Sequence, residues 1–350
     1  MRPGRPRGLR AAAVAPAAAL AVAAALALAG CAAGPASPAG STGTYVTGTA
    51  ASGTVTAGTV AARAAGADAA SPIGSAAACN PYAVSLRPPA GPPQVTAGST
   101  AAAIKARGYL IAGVDQSTYH FGYLNPISGQ IEGFDIDMVL AVAKAIFGPS
   151  MNDQQARGHV RFVAISDAER IPDLQKGTVN IVAHTMTINC MRATEVDFST
   201  VYFDAKQRVL VVRAANGSGP DLAQLGAAHQ KVCATEGSDS VAHIEAAHAI
   251  PVQVQYWSDC LVLLQEGQVA GISTDDSILA GLQAQDPNTT ITGPSLEDEP
   301  YGLAMSKDHP DFVRFVNAVL VQARADGQWA ASYAHWVGGT PSSWQIGYAG

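Results

Sequence analysis

From residue 109 onward, short apolar runs alternate with segments whose apolar residues recur every three or four positions. The runs "YLIAGV" (109–114), "VRFVAI" (160–165) and "VNIVA" (179–183) predict strands. Between them, "GFDIDMVLAVAKAIFG" (133–148) has helical spacing, with acids at its start that suit the positive end of a helix dipole. "DAERIPDLQKG" (167–177) reads as a short helix closed by glycine. Further on, "RVLVVR" (208–213), "KVCAT" (231–235) and "PVQVQY" (251–256) predict strands. "SDSVAHIEAAH" (238–248), "WSDCLVLLQEG" (257–267) and "DDSILAGLQAQ" (275–285) predict helices. The alternation is βαβ, so the fold class is α/β, with a largely parallel sheet and helices on both faces. Ligands of such sheets sit off the carboxyl ends of strands, where loops lead into helices. Four loops qualify: "GVDQSTYHF" (113–121), "TMTINCMRATEVDF" (185–198), "ATEGSDS" (234–240) and "STDDS" (273–277).

The N-terminal pattern differs. Residues 1–10 carry four arginines and no acid, and residues 11–30 are almost wholly Ala, Leu and Val. A basic start, an apolar stretch and small residues before a cut site make an export signal over residues 1–30. "LAGC" (28–31) resembles the lipobox of bacterial lipoproteins, which implies that Cys31 is lipidated and anchors the chain to the cell membrane. The alternative is a transmembrane anchor, since the stretch is near the roughly 20 residues required, although its alanines are weakly apolar. Residues 31–78 are rich in Ala, Gly, Ser, Thr and Pro with almost no charge. Such a segment buries too little to offset its ordering entropy and reads as a flexible tether. What remains is roughly 265 residues, enough for two lobes.

Composition narrows the function. A net charge of −6 leaves no basic footprint for nucleic acid. Of five cysteines, setting Cys31 aside leaves Cys79, Cys190, Cys233 and Cys260. An even count in an exported chain favours two disulfides. Three pairings are possible. Cys233–Cys260 is preferred because the two lie in the same part of the chain, which leaves Cys79–Cys190. A zinc site is the alternative, but there is no CxxC or HxxxH spacing. His243 and His248, five apart, read as surface histidines. No metal site and no cofactor are expected.

Five segments, taken in order, carry a resemblance. They are "YLIAGVD" (109–115), "GFDIDM" (133–138), "RIPDLQKGTVNIVAHTMTINCMRATEVDFST" (170–200), "ISTDDSILAG" (272–281) and "DEPYGLAM" (298–305). The chain from about 104 to 330 resembles the bacterial family 3 extracellular solute-binding proteins, which capture polar amino acids for ABC importers. Within that family it looks most like the glutamate/aspartate and glutamine binders in their actinobacterial lipoprotein form. The resemblance implies a two-lobed, type II periplasmic-binding-protein fold with two crossover hinge strands and the ligand between the lobes. The crossovers match "YFDAK" (202–206) and "EPYG" (299–302). Residues 79–203 and 301–350 would form one lobe, and 204–300 the other.

The same resemblance assigns a site. A zwitterion needs a cation for its carboxylate and an anion for its ammonium. Arg192 falls on the family's carboxylate-binding arginine, whose planar fork makes paired charge-assisted hydrogen bonds. Thr187 falls on a threonine beside the same ligand, and Thr185 on a small residue whose carbonyl faces the ammonium. Asp275 falls on the acid that pairs with the ammonium, while Asp276 is the weaker candidate; the rival reading of both is helix capping. "EGSDS" (236–240) opens a helix whose free N–H groups would suit an anion, and Ser238 is the candidate hydroxyl, or else a solvated cap. Arg170 matches the arginine that acidic-ligand binders use for the distal carboxylate, or else is an exposed surface arginine. A buried arginine without an anion would be costly, so an inward Arg170 favours glutamate or aspartate. Two features depart from the family pattern. The usual stacking aromatic is Thr118 here, with Tyr119 beside it as the candidate ring. Asp115 would repel an acidic ligand if it faced the cleft, and is read as accepting hydrogen bonds in its own loop. Both leave asparagine and glutamine open.

The expected protein is a monomeric, extracytoplasmic binder that closes over a polar amino acid and delivers it to an ABC permease. One rival is a lipoprotein sensor that signals to a membrane partner. The other is a dehydratase-like enzyme on the same fold, which would need a general acid or base in the cleft. His184 and His120 lie near the right loops, but neither belongs to a known catalytic motif.

Overall fold

The computed structural model describes residues 79–341, 343 and 346–349. The export signal, Cys31 and the tether lie outside the described residues. No helix among the described residues is long and apolar enough to cross a membrane.

Helix α1 (Thr100–Arg107) precedes strand β1 (Leu110–Val114). A small antiparallel sheet follows, of β2 (Ser117–Thr118), β3 (Gly122–Leu124) and β4 (Ile131–Glu132). It leads into α2 (Phe134–Phe147). Gly133 makes the junction at φ +139°, where a Cβ would meet the Phe121 carbonyl oxygen at 2.1 Å, so no side chain fits. The acids at the start of α2 do more than suit the dipole. Asp135 is fully buried and accepts hydrogen bonds from the Tyr202 hydroxyl (2.6 Å) and the Thr185 amide (2.7 Å). Asp137 accepts from Ser332 and from the Trp336 indole. Next come α3 (Asp153–Arg157), β5 (Val160–Ala164), α4 (Arg170–Gln175), β6 (Ile181–Ala183), α5 (Arg192–Glu195) and β7 (Asp197–Phe198).

Strand β8 (Phe203–Val212) carries the chain on into a second sheet. There the chain forms α6 (Leu222–Ala227), β9 (Lys231–Thr235), α7 (Ser240–Ala246), β10 (Ile250–Val254), α8 (Trp257–Gln265), β11 (Gly271–Asp275), α9 (Asp276–Gln285) and β12 (Thr289–Thr292). It returns through β13 (Asp298–Tyr301) to β14 (Ala304–Met305), α10 (Pro310–Ala325) and α11 (Gln328–Trp336).

The architecture is therefore two α/β lobes. The first sheet has order β5-β1-β6-β14-β7 and the second β10-β9-β11-β8-β12. The βαβ strands pair in parallel, as the alternation predicts. Strands β8 and β14 do not: each enters a sheet just after the chain has crossed between lobes, and so runs antiparallel to its neighbours. The first four residues of β8 pair antiparallel with β13, so two adjacent strands connect the lobes. Around them packs an aromatic core that includes Phe134, Tyr202, Phe203, Tyr301, Trp329 and Tyr333. The second lobe has its own aliphatic core, which contains the Cys233–Cys260 disulfide between β9 and α8. A second disulfide, Cys79–Cys190, fastens the start of the described chain to the loop before α5.

Candidate functional site

The loops at the carboxyl ends of the strands meet around one cavity. Its walls include Asp167, Arg170, Thr185, Thr187, Arg192, Ser238, Asp239, Trp257, Thr274 and Asp275. The expected residues Arg170, Thr185, Thr187, Arg192, Ser238 and Asp275 therefore come together. Tyr119 does not. It lines a separate surface depression with Tyr123 and Tyr256, its ring 4.9 Å from that of Tyr123. The preceding Thr118 is the buried residue of β2, and its hydroxyl donates to Asp115, while Tyr119 lies in the turn that follows. Asp115 accepts from the amides of Gln116 (2.6 Å) and Ser117 (2.8 Å), as expected of a loop carboxylate.

The loop before α5 forms one wall. Thr185 sits at φ +42°, a left-handed backbone that a β-branched residue adopts only when its surroundings impose it. The Thr185 amide bond to Asp135 supplies that constraint. Further along, the Ile188 amide donates to the Pro300 carbonyl (2.7 Å) and the Gly302 amide to the Met186 carbonyl (3.1 Å), which stitches this loop to the returning crossover. The Arg192 amide donates to Asn189 Oδ1 (2.9 Å). The Arg192 guanidinium, 8 % exposed, donates to the Thr187 carbonyl (3.0 Å) and forms an ion pair with Asp239 (2.9 Å).

Arg170 points inward too, but not as a free cation. Its Nη1 lies 2.7 Å from Asp167 Oδ1, and its Nε donates to the Asp167 carbonyl (3.0 Å). Burial alone would raise the Asp167 carboxyl, but Arg170, His184 and the Thr235 hydroxyl outweigh it and hold it below the usual carboxylate range. His184 is buried, its Nε2 2.9 Å from the Ile165 carbonyl. The opposite wall comes from the second lobe. Gly237, at φ +82°, packs so near Ala168 that a Cβ would lie 2.7 Å from its Cα. The Gly237 carbonyl accepts from both Arg170 (3.3 Å) and Arg192 (3.4 Å).

Ser238 uses its hydroxyl locally, donating to the Thr235 carbonyl (2.8 Å). Helix α7 begins at Ser240, two residues later than the apolar pattern suggests, and Asp239 precedes it without capping it through its side chain. That carboxylate turns instead to Arg192. Asp275 also precedes its helix without a side-chain capping bond, and accepts from the Tyr301 hydroxyl (2.5 Å). Asp276 accepts from the Lys206 amide (3.0 Å) on the crossover strand. Burial first, and then Glu299 and Asp239, push the Asp275 carboxyl well above its ordinary range. Glu299, beside Thr187, is likewise pushed up to about 8 by burial and Asp239.

The site thus holds two guanidiniums already paired, Arg170 with Asp167 and Arg192 with Asp239, and one buried carboxyl, Asp275, with no cation beside it among the described residues. Sequence reasoning missed Asp167, Asp239 and Gly237. The i,i+3 spacing of Asp167 and Arg170 is the local signal that would have found one of them.

Residues 110–339 match the model of the bacterial extracellular solute-binding proteins, family 3. The chain is 35 % identical over 245 residues to the ABC transporter glutamine-binding protein GlnH of Bacillus subtilis, covering 69 % of this chain and 86 % of that one. It is 25 % identical over 252 residues to the glutamate/aspartate import solute-binding protein of Escherichia coli, covering 69 % and 80 %. Among solved structures, an ancestral arginine-binding protein bound to glutamine superposes with a TM-score of 0.59 at 30 % identity, covering 67 % of this chain and 99 % of that one.

Proposed function

Because the chain belongs to the bacterial extracellular solute-binding proteins, family 3, we propose that its cavity captures a zwitterionic amino acid with a neutral amide side chain, glutamine first, for an ABC importer. Arg192, with donors to spare beyond Thr187, Asp239 and Gly237, takes the α-carboxylate. Asp275 takes the α-ammonium, and the ligand's charge offsets the burial that pushes this carboxyl up. Micromolar affinity corresponds to roughly −8 kcal/mol, within reach of two such desolvated contacts net of their costs.

The observation that carries the choice of side chain is the Arg170–Asp167 pair. A guanidinium neutralised at 2.7 Å offers little net charge to a distal carboxylate, and the Asp167 carboxylate repels one. This turns the reading from glutamate or aspartate, which Arg170 alone favours, to glutamine. The names of the relatives span both classes. The two disulfides suit an oxidising, extracytoplasmic compartment, and an anchor at Cys31 would keep the protein near its permease. The membership and the relatives' names favour binding over the dehydratase-like alternative.

Calorimetry against glutamine, asparagine, glutamate and aspartate tests this reading. Glutamine is expected to bind at least tenfold tighter than glutamate, a difference of about 1.4 kcal/mol. Asp167→Asn is expected to narrow or reverse that preference by freeing Arg170. Tighter binding of glutamate by the unaltered protein would restore the acidic-ligand reading.

A further inference from the structure

We propose that His243, Glu297 and Glu299 form a binding site for a divalent cation of the zinc class, set between α7 and the returning crossover strand. His243 Nε2 lies 3.3 Å from Glu297 Oε2 and 3.8 Å from Glu299 Oε1, and the three ligand atoms all lie within 4.8 Å of one another. Zinc bound by imidazole nitrogen and carboxylate oxygen at about 2.1 Å in a tetrahedron keeps neighbouring ligand atoms about 3.4 Å apart. Two edges of the triangle already approach that spacing. Rotation of the Glu297 side chain, 62 % exposed, can close the third. Water would complete the coordination.

The charge balance points the same way. Glu299 is only 2 % exposed, and among the described residues its ion-pair contact is His243 at 3.8 Å, while Arg192 acts on it from beyond ion-pair distance. Burial with no cation in ion-pair contact other than His243 favours the neutral carboxyl, and a metal ion would stabilise the charged form. The backbone holds the site in place, since the Gln207 amide of β8 donates to the Glu297 carbonyl (3.0 Å). One imidazole with two carboxylates suits zinc better than magnesium or calcium, which favour all-oxygen shells. No spacing in the sequence marks the site, because His243 comes from a helix and the two glutamates from the start of the returning crossover, far away along the chain.

The inference does not depend on which amino acid the cavity takes, and its test needs none. Full-length protein without a histidine tag is titrated with ZnCl2 by calorimetry. One saturable site per chain is expected, with micromolar or tighter affinity. His243→Ala and, separately, Glu297→Gln are expected to weaken it at least tenfold, the scale on which metal sites respond to altered shells. His248→Ala is expected to leave it unchanged. Because Glu297 is mostly exposed, its variant is expected to fold normally, which circular dichroism checks. Absence of saturable binding, or affinity unchanged in both cluster variants, would overturn the site. Displacement of zinc by equimolar calcium would overturn the metal class.

Discussion

In the proposed function, Asp239 and a bound carboxylate compete for one guanidinium. The 2.9 Å ion pair with Arg192 places an acid where the ligand's own acid has to approach. Removing that charge relieves a like-charge contact in a partly exposed setting, where Coulomb repulsion is on the order of 1–2 kcal/mol. Asp239→Asn is therefore expected to raise amino-acid affinity roughly tenfold. A loss of affinity would mean that Asp239 holds the ligand's ammonium. At this scale the sequence yields the residues that sit in motifs: Arg192, Thr187 and Thr185 in one loop, and Asp275 at a helix start. Asp239 and Asp167 escape notice for a common reason. Each is an acid at the beginning of a helix, which reads as a cap, and each turns out to face an arginine. Tyr119 fails in the opposite way, since it lies in the turn just past β2 and points into a separate surface depression.

Among the elements, the start of α2 ties the site to the core. Asp135 accepts from Thr185, which it holds in a left-handed turn, and from Tyr202 beside the crossover. Burial pushes its carboxyl up to about 6. Its folded-state pKa is thus raised above the unfolded value near 4. Between these values the folded chain retains a proton that the unfolded chain has lost, so this group's contribution to stability falls as pH rises from about 4 to about 6. Two pH units correspond to at most about 3 kcal/mol. Urea unfolding of the unaltered protein and of Asp135→Asn over that range is expected to show a descending limb in the first that is missing from the second. Equal slopes would contradict the assignment. The long elements are legible because their apolar period is strong: the pattern places α2 at 133–148, and it spans Phe134–Phe147. The two-residue strands β2 and β4 have too few positions to show a period. The antiparallel entry of β8 and β14 is a property of the crossing and is not written in the local pattern of either strand.

On the scale of the whole molecule, a small cavity lies where two lobes present complementary groups, Arg192 from one and Asp275 from the other. Apolar periodicity indicates the α/β class, but the division into two sheets follows from the family's segment order, because a βαβ alternation reads the same whether its strands share one sheet or two. What no sequence pattern reveals is the pairing of charges across the cavity, which depends on side-chain direction after the lobes have been assembled. The account rests on a zwitterion whose two α-groups are both recognised. Calorimetry with glutamine, N-acetylglutamine and glutamine α-amide addresses that. The first is expected to bind at micromolar levels, and each of the others, with one charge removed, at least 100-fold more weakly, a loss of about 2.7 kcal/mol or more. Undiminished binding of either derivative would contradict the convergence of Arg192 and Asp275 on one ligand.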